Sequence, residues 1–389
     1  MGSSDTEEKK KRKTLRTFAA ASFLNDFGSD MIYPIWPLFV TSVLGANMAV
    51  LGFIDGLGEA IVSLAKAASG YWSDRVRKRK IFIWTGYLMG SASRIGYALS
   101  TVWQHLIPFR ILDRAGKIRS APRDAIIADI STKEDRGRNF GLLRAMDNLG
   151  AVCGITACLL FYGLLGYRTL FFIAAVPSLI AVVLILSRIR ERRESDIRIY
   201  KGLSIRDLDR NFKLFLLLSS IFALGSFSYS FLIIYAKEFG FKEGWIPVLY
   251  LVFTAVASLF SIPFGKLSDK TSRKYVLILS FIFWAVVCVS IILNHSRLTI
   301  ILAFVFYGLH KGAMEPVQKT LVAELAPAAY RASSLGGFQM IIGLCALPAS
   351  LMAGIMWEKM GILIPFYFSL GLTIIASIIL LFVKEKKDS

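Results

Sequence analysis

Apolar stretches long enough to cross a membrane recur along almost the whole chain. A helix needs about 20 mostly apolar residues to span the hydrocarbon core of a bilayer. A soluble domain has too little interior to bury a chain that is 55% hydrophobic, so we expect an all-α integral membrane protein. The pattern predicts twelve spans, numbered in chain order, at residues 17–43, 48–72, 81–102, 104–129, 138–163, 168–188, 213–237, 246–267, 275–294, 298–324, 332–357 and 361–383.

The distribution of charge predicts how these spans are oriented. The formal net charge is +19, and Lys and Arg concentrate before span 1, in alternate loops and after span 12. Basic loops stay on the cytoplasmic side of a membrane. We therefore expect both termini in the cytoplasm, an even number of spans and a location in the cell inner (cytoplasmic) membrane. Short basic blocks between apolar stretches also argue against nucleic-acid binding.

The same pattern predicts a chain built from two bundles. A basic cytoplasmic tail at 1–16 precedes a six-helix bundle at 17–188, and a cytoplasmic linker at 189–212 leads to a second six-helix bundle at 213–383. A short tail at 384–389 follows. Apolar residues at 203, 205, 208 and 212 of the linker fit either a helix lying at the membrane interface or a solvated segment.

An internal repeat supports this division. Matching residues recur 195 positions apart, at the ends of spans 2 and 8 and around the ends of spans 4 and 10. A constant offset across several helices indicates a duplicated half. The related pairs are Gly70 with Gly265, Asp74 with Asp269, Arg75 with Lys270, Asp129 with Glu324 and Arg136 with Arg331.

Four stretches of sequence, two of them overlapping in span 4, carry a resemblance to a known family. Residues 70–79, Gly-Tyr-Trp-Ser-Asp-Arg-Val-Arg-Lys-Arg, resemble the signature loop of the major facilitator superfamily, with Arg77 where that family usually has glycine. Arg110 and Pro122 in span 4 resemble its second motif, with Arg114 in place of a glycine. Residues 150–154 in span 5 resemble the glycine part of its antiporter motif, without the proline that follows. The run 114–124 resembles a poorly characterised prokaryotic branch.

This resemblance implies a fold and a gate. Two six-helix halves would surround a central cavity bordered by spans 1, 4, 7 and 10. Ion pairs at the cytoplasmic ends of the spans would close the cavity on that side and break when it opens. The alternative is that the basic loop residues only fix topology. The predicted gating residues are Gly70, Asp74, Arg75, Arg79, Asp129, Gly265, Asp269, Lys270, Glu324 and Arg331.

Charges inside the spans point to the functional site. A charge near the bilayer centre costs at least about 2.5–3.5 kcal/mol, so it must be paired or face a wet cavity. The alternatives are structural ion pairs, such as Arg114 with Asp113 or Arg144 with Asp147, and a satisfied interior histidine at His310. The predicted substrate and cavity residues are Asp30, Tyr33, Arg110, Arg114, Lys117, Tyr229, His310, Lys311 and Glu315.

Coupling to a proton requires a carboxylate whose pKa changes as the cavity opens and closes. Four acids in spans 1, 2 and 4 are candidates, and their depth ranks Asp26 and Glu59 first. The set is Asp26, Asp55, Glu59 and Asp113.

These observations favour a secondary transporter that moves a small charged or zwitterionic organic solute by alternating access, with a proton as the coupling ion. A multidrug exporter is the main alternative, because Trp36, Phe39, Phe227 and Tyr229 offer aromatic surface. Metal efflux and a non-transporting membrane sensor rank lower. We find no nucleophile–base pair, phosphate loop or metal motif, and so expect no enzyme activity, cofactor or metal. A monomer embedded in the lipid bilayer is sufficient for this fold.

Overall fold

The structure is a computed structural model that describes residues 2–76, 78–132, 135–189, 191, 208–326 and 331–384. The side chains of residues 2–7, 70, 71, 73–76, 136, 137 and 331–333 lie outside this description. All regular elements in the described residues are helical, which confirms the all-α prediction for that part of the chain. Most of the linker, where an interfacial helix was one expectation, lies outside the described residues.

The first half of the sequence forms seven α-helices within the described residues. Predicted span 1 is interrupted after helix α1, Gly2–Ile32. It continues through a short helix α2, Trp36–Leu38, and a π-helical turn, Phe39–Val43. Predicted span 4 consists of α5 and α6, joined by the 3₁₀ turn Gly116–Arg119. The helices are α1 Gly2–Ile32, α2 Trp36–Leu38, α3 Met48–Val76, α4 Arg79–Leu99, α5 Leu106–Ala115, α6 Ser120–Ile130 and α7 Arg136–Arg188.

Helix α7 contains predicted spans 5 and 6. Its 53 residues are interrupted at Gly166, which has φ 69° and ψ 177°. This positive φ is readily accessible to glycine and strained for other residues. The break therefore lies between the two predicted spans, where a loop is expected.

The second half also forms seven α-helices within the described residues. Predicted span 7 is divided between α8 and α9 by an irregular segment at 226–229. Each of the other predicted spans of this half corresponds to one helix. The helices are α8 Arg210–Gly225, α9 Ser230–Glu238, α10 Ile246–Lys270, α11 Arg273–Leu293, α12 Arg297–Leu325, α13 Arg331–Met360 and α14 Ile364–Leu381.

Eight helical stretches of the described chain are long and apolar enough to cross a membrane. One of them, Arg138–Arg188, is 51 residues long, so the eight stretches account for nine predicted spans. The other three, spans 1, 3 and 4, are the ones that carry Asp26, Arg94 and Arg110 inside them. Their charges lower the hydropathy, which makes them candidates for the functional interior.

The chain divides into two compact units. Unit 1 comprises Met1–Trp36 and Leu64–Tyr200, and unit 2 comprises Pro37–Ser63 and Lys201–Ser389. The first part of α3 thus belongs to unit 2 and the remainder to unit 1. The bundle boundaries at 17–188 and 213–383 stay a prediction.

In unit 1, α1 packs along α7, and α4 packs against both α7 and α5. Two glycines one turn apart permit the close contact of α1 with α7. A Cβ at Gly150 would lie 2.4 Å from Phe23 O, and one at Gly154 would lie 2.2 Å from Phe27 O. Small residues at this spacing let membrane helices approach closely. One apolar core cluster of the unit consists of Phe18, Ala21, Ile83, Tyr87, Ile127, Leu143, Ala181, Val182, Ile185 and Ile189.

In unit 2, α12 packs against α10 and α11, and α8 packs against α14 and α13. Its interior is strongly aromatic. The ring centroids of Phe222 and Phe281 are 4.5 Å apart, and Phe227 contacts Phe366 edge-on at 5.2 Å. Buried aromatic pairs of this geometry contribute about 0.5–1.5 kcal/mol each beyond the area that they bury.

Candidate functional site

Two helices are interrupted at equivalent positions of the internal repeat. Residues 33–35 separate α1 from α2, and an offset of 195 relates them to 228–230, where α9 begins after its break from α8. Pro34 and Pro37 account for the first break, because proline lacks a donor N–H and collides with the preceding turn. Interrupted helices at corresponding positions of two repeats mark binding sites in membrane transporters. The candidate site is therefore built outward from these two breaks.

At the break in unit 1, two arginines of α5 lie against aromatic rings. The guanidinium carbon of Arg110 is 4.5 Å from the centroid of the Trp36 ring, and that of Arg114 is 5.2 Å from the Tyr33 ring. Arg114 Nη1 also donates to Tyr33 Oη at 3.1 Å. Both arginines are buried, with 2% and 7% of their surface exposed. The break in α1 thus places both rings against charged groups from predicted span 4.

Acids accompany these arginines. Asp113 Oδ2 lies 3.7 Å from Arg114 Nε, which is one of the ion pairs expected from the sequence. Asp26 and Asp30 of α1 are half-buried, and Asp30 is within electrostatic range of Asp26, Lys117 and Arg114. Residues from the predicted substrate and coupling sets therefore form one mixed-charge cluster, which we call the arginine cluster: Asp26, Asp30, Tyr33, Trp36, Arg110, Asp113, Arg114 and Lys117.

A further arginine, Arg94 of α4, is the centre of a buried polar network. Its Nη1 donates to Ala174 O at 2.8 Å and Ser178 Oγ at 2.7 Å, and its Nη2 donates to Ser29 Oγ at 2.7 Å. Ser178 Oγ donates in turn to Asn25 Oδ1 at 3.2 Å. These partners are neutral groups of α1 and α7. Arg94 was not among the predicted substrate, coupling or gating residues.

A second, partly buried arrangement joins α6 to α1 and α7. Arg123 Nη1 donates to Ser22 Oγ at 2.6 Å and lies 3.9 Å from Asp147 Oδ1, and Arg123 Nε donates to Asp124 Oδ1 at 3.0 Å. Asp147 was expected to pair with Arg144, three residues earlier on the same helix. The ion pair that the structure gives Asp147 is with Arg123 instead, because the long Arg123 side chain reaches across from α6.

In unit 2, Asp55 of α3 binds the break between α8 and α9. Its Oδ2 accepts hydrogen bonds from Ser228 Oγ at 2.7 Å and Ser230 Oγ at 2.5 Å, and only 3% of the residue is exposed. Asp55 is the most buried of the four predicted coupling acids. The partner serines were not among the predicted site residues, although their position at the repeat equivalent of 33–35 could have indicated them.

The surroundings of Asp55 form a closely packed seam between α3 and α13. A Cβ at Gly52 would lie 2.1 Å from Ser350 O, and one at Gly56 would lie 2.7 Å from Ala346 O. We call this contact the α3–α13 seam. At its end, Met48 N donates to Glu358 Oε1 at 2.7 Å. Part of the first half of the sequence is thus packed directly against helices of the second half within unit 2.

The remaining predicted residues of unit 2 lie on α12 and beside it. Lys311 Nζ is 5.6 Å from the Tyr307 ring and within electrostatic range of Glu59 and of Glu315, both of which are exposed. His310 is 1% exposed, and its Nδ1 lies 2.9 Å from both Oγ and O of Ser280. This is the geometry of a satisfied interior histidine. Tyr229 packs edge-on against Tyr250, with centroids 5.1 Å apart.

Metal ligation has no site in the described part of the chain. No group of three or more His, Cys, Asp or Glu residues there is arranged to hold an ion. The four cysteines, at positions 153, 158, 288 and 345, are not joined in disulfides.

Comparison with known proteins identifies the family. The model of the Major Facilitator Superfamily (MFS) matches residues 18–255 and 214–389, which together cover nearly the whole chain. The chain belongs to the major facilitator superfamily. It is a multi-pass membrane transporter of the MFS type, as the signature loop indicated.

Relatives and structures agree with this assignment. An uncharacterized MFS-type transporter of Methanocaldococcus jannaschii is 38% identical over 380 residues, which is 95% of each chain. Multidrug resistance protein 2 of Bacillus subtilis is 27% identical over 392 residues and 94% of each chain. A crystal structure of the nucleoside transporter NupG superposes with a TM-score of 0.75 at 14% identity, covering 96% of this chain and 100% of that one. The last similarity shows the MFS fold alone.

The MFS signature loop and its repeat copy form ion pairs at the helix ends. Arg79 Nη1 binds Asp129 Oδ2 in unit 1. In unit 2, Arg273 Nη2 binds Glu324 Oε1 at 2.8 Å, and its Nη1 binds Asp269. The sequence predicted the acids in both copies, but the repeat copy uses Arg273 where Lys270 was expected.

Other gating residues are less fully described. Lys270 and Asp269 are exposed, and Gly265 is half-buried in α10. The side chains of Asp74, Arg75 and Arg331, like the surroundings of Gly70, lie outside the described residues. The gating role of this MFS loop stays a prediction.

Proposed function

We propose that this MFS transporter carries a small organic solute bearing a carboxylate or phosphate group, either as an anion or as a zwitterion, in exchange for or together with protons. The observation that carries the proposal is the stacking of Arg110 and Arg114 on Trp36 and Tyr33. A guanidinium is the side chain whose planar fork best matches the two oxygens of a carboxylate or phosphate, and an aromatic ring against its face holds that fork in a fixed orientation.

The rest of the arginine cluster supports a solute of mixed charge. Asp26 and Asp30 lie on α1, whereas α5 contributes two arginines and a single acid, Asp113, so the cluster is acidic on α1 and net basic on α5. An ammonium group of a zwitterion would be attracted to the acids, and its carboxylate would be attracted to the arginines. A solute that carries both charges thus matches the cluster better than a neutral one.

Proton coupling is assigned to the acids of α1, α3 and α5, with Asp55 as the best-placed member. Its Oδ2 accepts one hydrogen bond from each of the two serine hydroxyls at the helix break. Protonation of Asp55 would remove the charge that Ser228 and Ser230 stabilise, and so would weaken the contact of α3 with the helix break. In this proposal the proton acts through the α3–α13 seam, and alternating access follows from its opening and closing.

The orientation belongs to the same proposal. Basic residues in the first part of α1, before its apolar segment, and around the junction of α3 and α4 favour a cytoplasmic location for both termini, in a cell inner membrane. The α3–α13 seam then lies toward the outer side.

A ligand screen on the detergent-purified protein tests the proposal. The panel contains carboxylates, phosphorylated metabolites, amino acids, lipophilic cations and divalent metals, and the readout is the midpoint of thermal unfolding. A ligand at 100 times its Kd stabilises the folded state by about 2.7 kcal/mol. We expect stabilisation by an anion or a zwitterion that is lost in Arg110→Ala and in Lys117→Ala. Lys319→Ala, which removes an exposed charge from α12, is the matched control and should retain it.

Arg114→Lys sharpens the test, because it keeps the charge but removes the planar fork and the stacking. We expect this variant to lose most of the affinity for the anion. Stabilisation by lipophilic cations alone, unchanged in the arginine variants, would overturn the charged-solute proposal.

That outcome would favour the second candidate, a multidrug exporter. Two observations support this candidate: the aromatic interior of unit 2, in which Phe227 contacts Phe231, Trp284 and Phe366, and the 27% identity to a Bacillus subtilis protein named for multidrug resistance. The arginine cluster favours the charged solute, because burying several cations in a pocket for lipophilic cations would repel its substrates.

A further inference from the structure

The beginning of α1 carries a basic stripe that the transport proposal does not use. Lys9, Arg12, Lys13 and Arg16 are spaced at i, i+3, i+4 and i+7, a spacing that places them on one helical face. Since α1 is helical from Gly2 onward, these side chains form a continuous ridge that extends span 1 beyond its apolar part. Thr17 and Ala20 continue the same face toward the apolar segment.

This stripe lines a cavity of about 570 Å³ in unit 1. The opposite wall is the end of α7, which contributes Leu184 and Arg188. Five cationic side chains therefore converge on one cavity. Arg12 Nη2 is paired with Glu8 Oε1 at 2.5 Å, so the net charge around the cavity is strongly positive even after this pair is subtracted.

Topology alone does not require this convergence. Basic residues hold a loop in the cytoplasm by their number and their distance from the span, without regard to the helical face that they occupy. Lys10 and Lys11 contribute equally to that rule, yet neither lines the cavity. The gathering of the stripe and Arg188 around one space thus needs another explanation.

We propose that this cavity binds the phosphate headgroup of an anionic phospholipid. Basic pockets at the ends of membrane helices bind such headgroups, and each Lys or Arg near the surface increases the affinity by about fivefold. The cavity also has an apolar side, formed by Leu184 and Ala20. Next to Leu184, and one turn earlier, α7 exposes Val183 at 63% and Ile180 at 46%. An acyl chain would lie along this surface, whereas a free phosphate ion would make no contact with it.

Lipid binding to the purified full-length protein tests this proposal. The probes are phosphatidylglycerol, phosphatidylcholine with the same acyl chains, and inorganic pyrophosphate, and apparent Kd values are obtained by native mass spectrometry. Two variants remove the same number of charges from the same helix. Lys13→Gln with Arg16→Gln alters the cavity, and Lys10→Gln with Lys11→Gln is the matched control.

We expect phosphatidylglycerol to bind the wild type and the control with Kd values within twofold of each other. The cavity variant should bind it roughly thirtyfold more weakly. Arg188→Gln, on the opposite wall, should weaken binding about fivefold, and it provides an independent test if the double variant folds poorly. Equal losses in both double variants would overturn the proposal in favour of unspecific surface attraction. Equal affinity for phosphatidylcholine would exclude a charge-selective site, and equal affinity for pyrophosphate would replace the lipid by a soluble anion.

Discussion

Arg94 and Asp55 are both buried ions, and both are held by neutral groups. Arg94 in unit 1 donates to two serine hydroxyls and a backbone carbonyl, and Asp55 in unit 2 accepts from two serine hydroxyls. Their exposed fractions are 2% and 3%. Burial and hydrogen-bond partners alone therefore do not distinguish a structural charge from one that serves the transport cycle.

The half of the sequence that supplies the hydrogen-bond partners does distinguish Arg94 from Asp55. The partners of Arg94 lie on α1 and α7, helices from the same half of the sequence. The partners of Asp55 are Ser228, in the break before α9, and Ser230, the first residue of α9. Both belong to the second half, although Asp55 itself lies on α3. In a transporter whose sequence halves move during alternating access, contacts within one half persist and contacts between halves must break. We therefore expect Arg94 to stabilise the fold and Asp55 to control a conformational equilibrium.

The largest expected effect is that of Arg94→Met. Methionine fills much of the volume but leaves Ser29, Ser178 and the Ala174 carbonyl without their donor, and each buried unsatisfied group costs about 1–3 kcal/mol. We expect a loss of about 3–5 kcal/mol in the free energy of unfolding, measured by denaturant titration in detergent. Arg94→Lys keeps the charge but not the planar fork, so its free energy of unfolding should lie between those of the wild type and Arg94→Met. An Arg94→Met protein of normal stability that no longer transports would assign Arg94 to the functional site.

The next effect concerns Asp55 and the α3–α13 seam. A hydrogen bond to a charged group contributes about 1.5–3 kcal/mol, so the seam of Asp55→Ala should open at least about ten times as often as that of the wild type. The loss in the free energy of unfolding should be smaller than that of Arg94→Met. The probe is Ser350→Cys, buried at 3% exposure beside Gly52, in a background with the four native cysteines replaced by alanine. The measurement is its rate of labelling by a maleimide.

Ser228→Ala with Ser230→Ala provides the partner arm of this experiment. If the hydroxyls act through Asp55, adding Asp55→Ala to this double variant should change the labelling rate little further. Independent, additive increases would show that the serines and the acid act separately. An unchanged labelling rate together with a large loss of stability would place Asp55 in the same class as Arg94.

The sequence predicted the fold well because membrane helices follow simple rules of length and polarity. The twelve apolar stretches, the charge pattern and the 195-residue repeat predicted a membrane protein of two related helical bundles. The resemblance of residues 70–79 and of span 4 to MFS motifs added the family, which the family match confirms. The charges of predicted span 4 also indicated the arginine cluster, because Arg110, Asp113, Arg114 and Lys117 are spaced at i, i+3, i+4 and i+7, a spacing that places them on one face of a helix.

The partners across helices were harder to predict. Asp55 and Ser230 are 175 residues apart, and helical spacing does not determine which helix a face contacts. The same reason explains why Asp147 pairs with Arg123 instead of its neighbour Arg144. A long arginine side chain can reach several helices, so the nearest charge in the sequence is a poor guide to its partner.

The smallest expected effects are those of the ion pairs at the helix ends, because their acidic side chains are partly exposed, unlike Arg94 and Asp55. Arg79 pairs with Asp129, whereas Arg273 bridges both Asp269 and Glu324. The side chains of Asp129 and Glu324 are 43% and 35% exposed, and pairs of this kind contribute about 0.2–1 kcal/mol. We expect Arg273→Ala to reduce the free energy of unfolding by up to about 1 kcal/mol, and Arg79→Ala by less, because it loses one acid partner and not two.

The reversed pair, Arg273→Glu with Glu324→Arg, should recover part of the loss at low salt and none of it at 1 M salt, where screening acts over about 3 Å. A loss of several kcal/mol at either site, insensitive to salt, would show that these pairs resemble the buried ions and that exposure is the wrong basis for separating them.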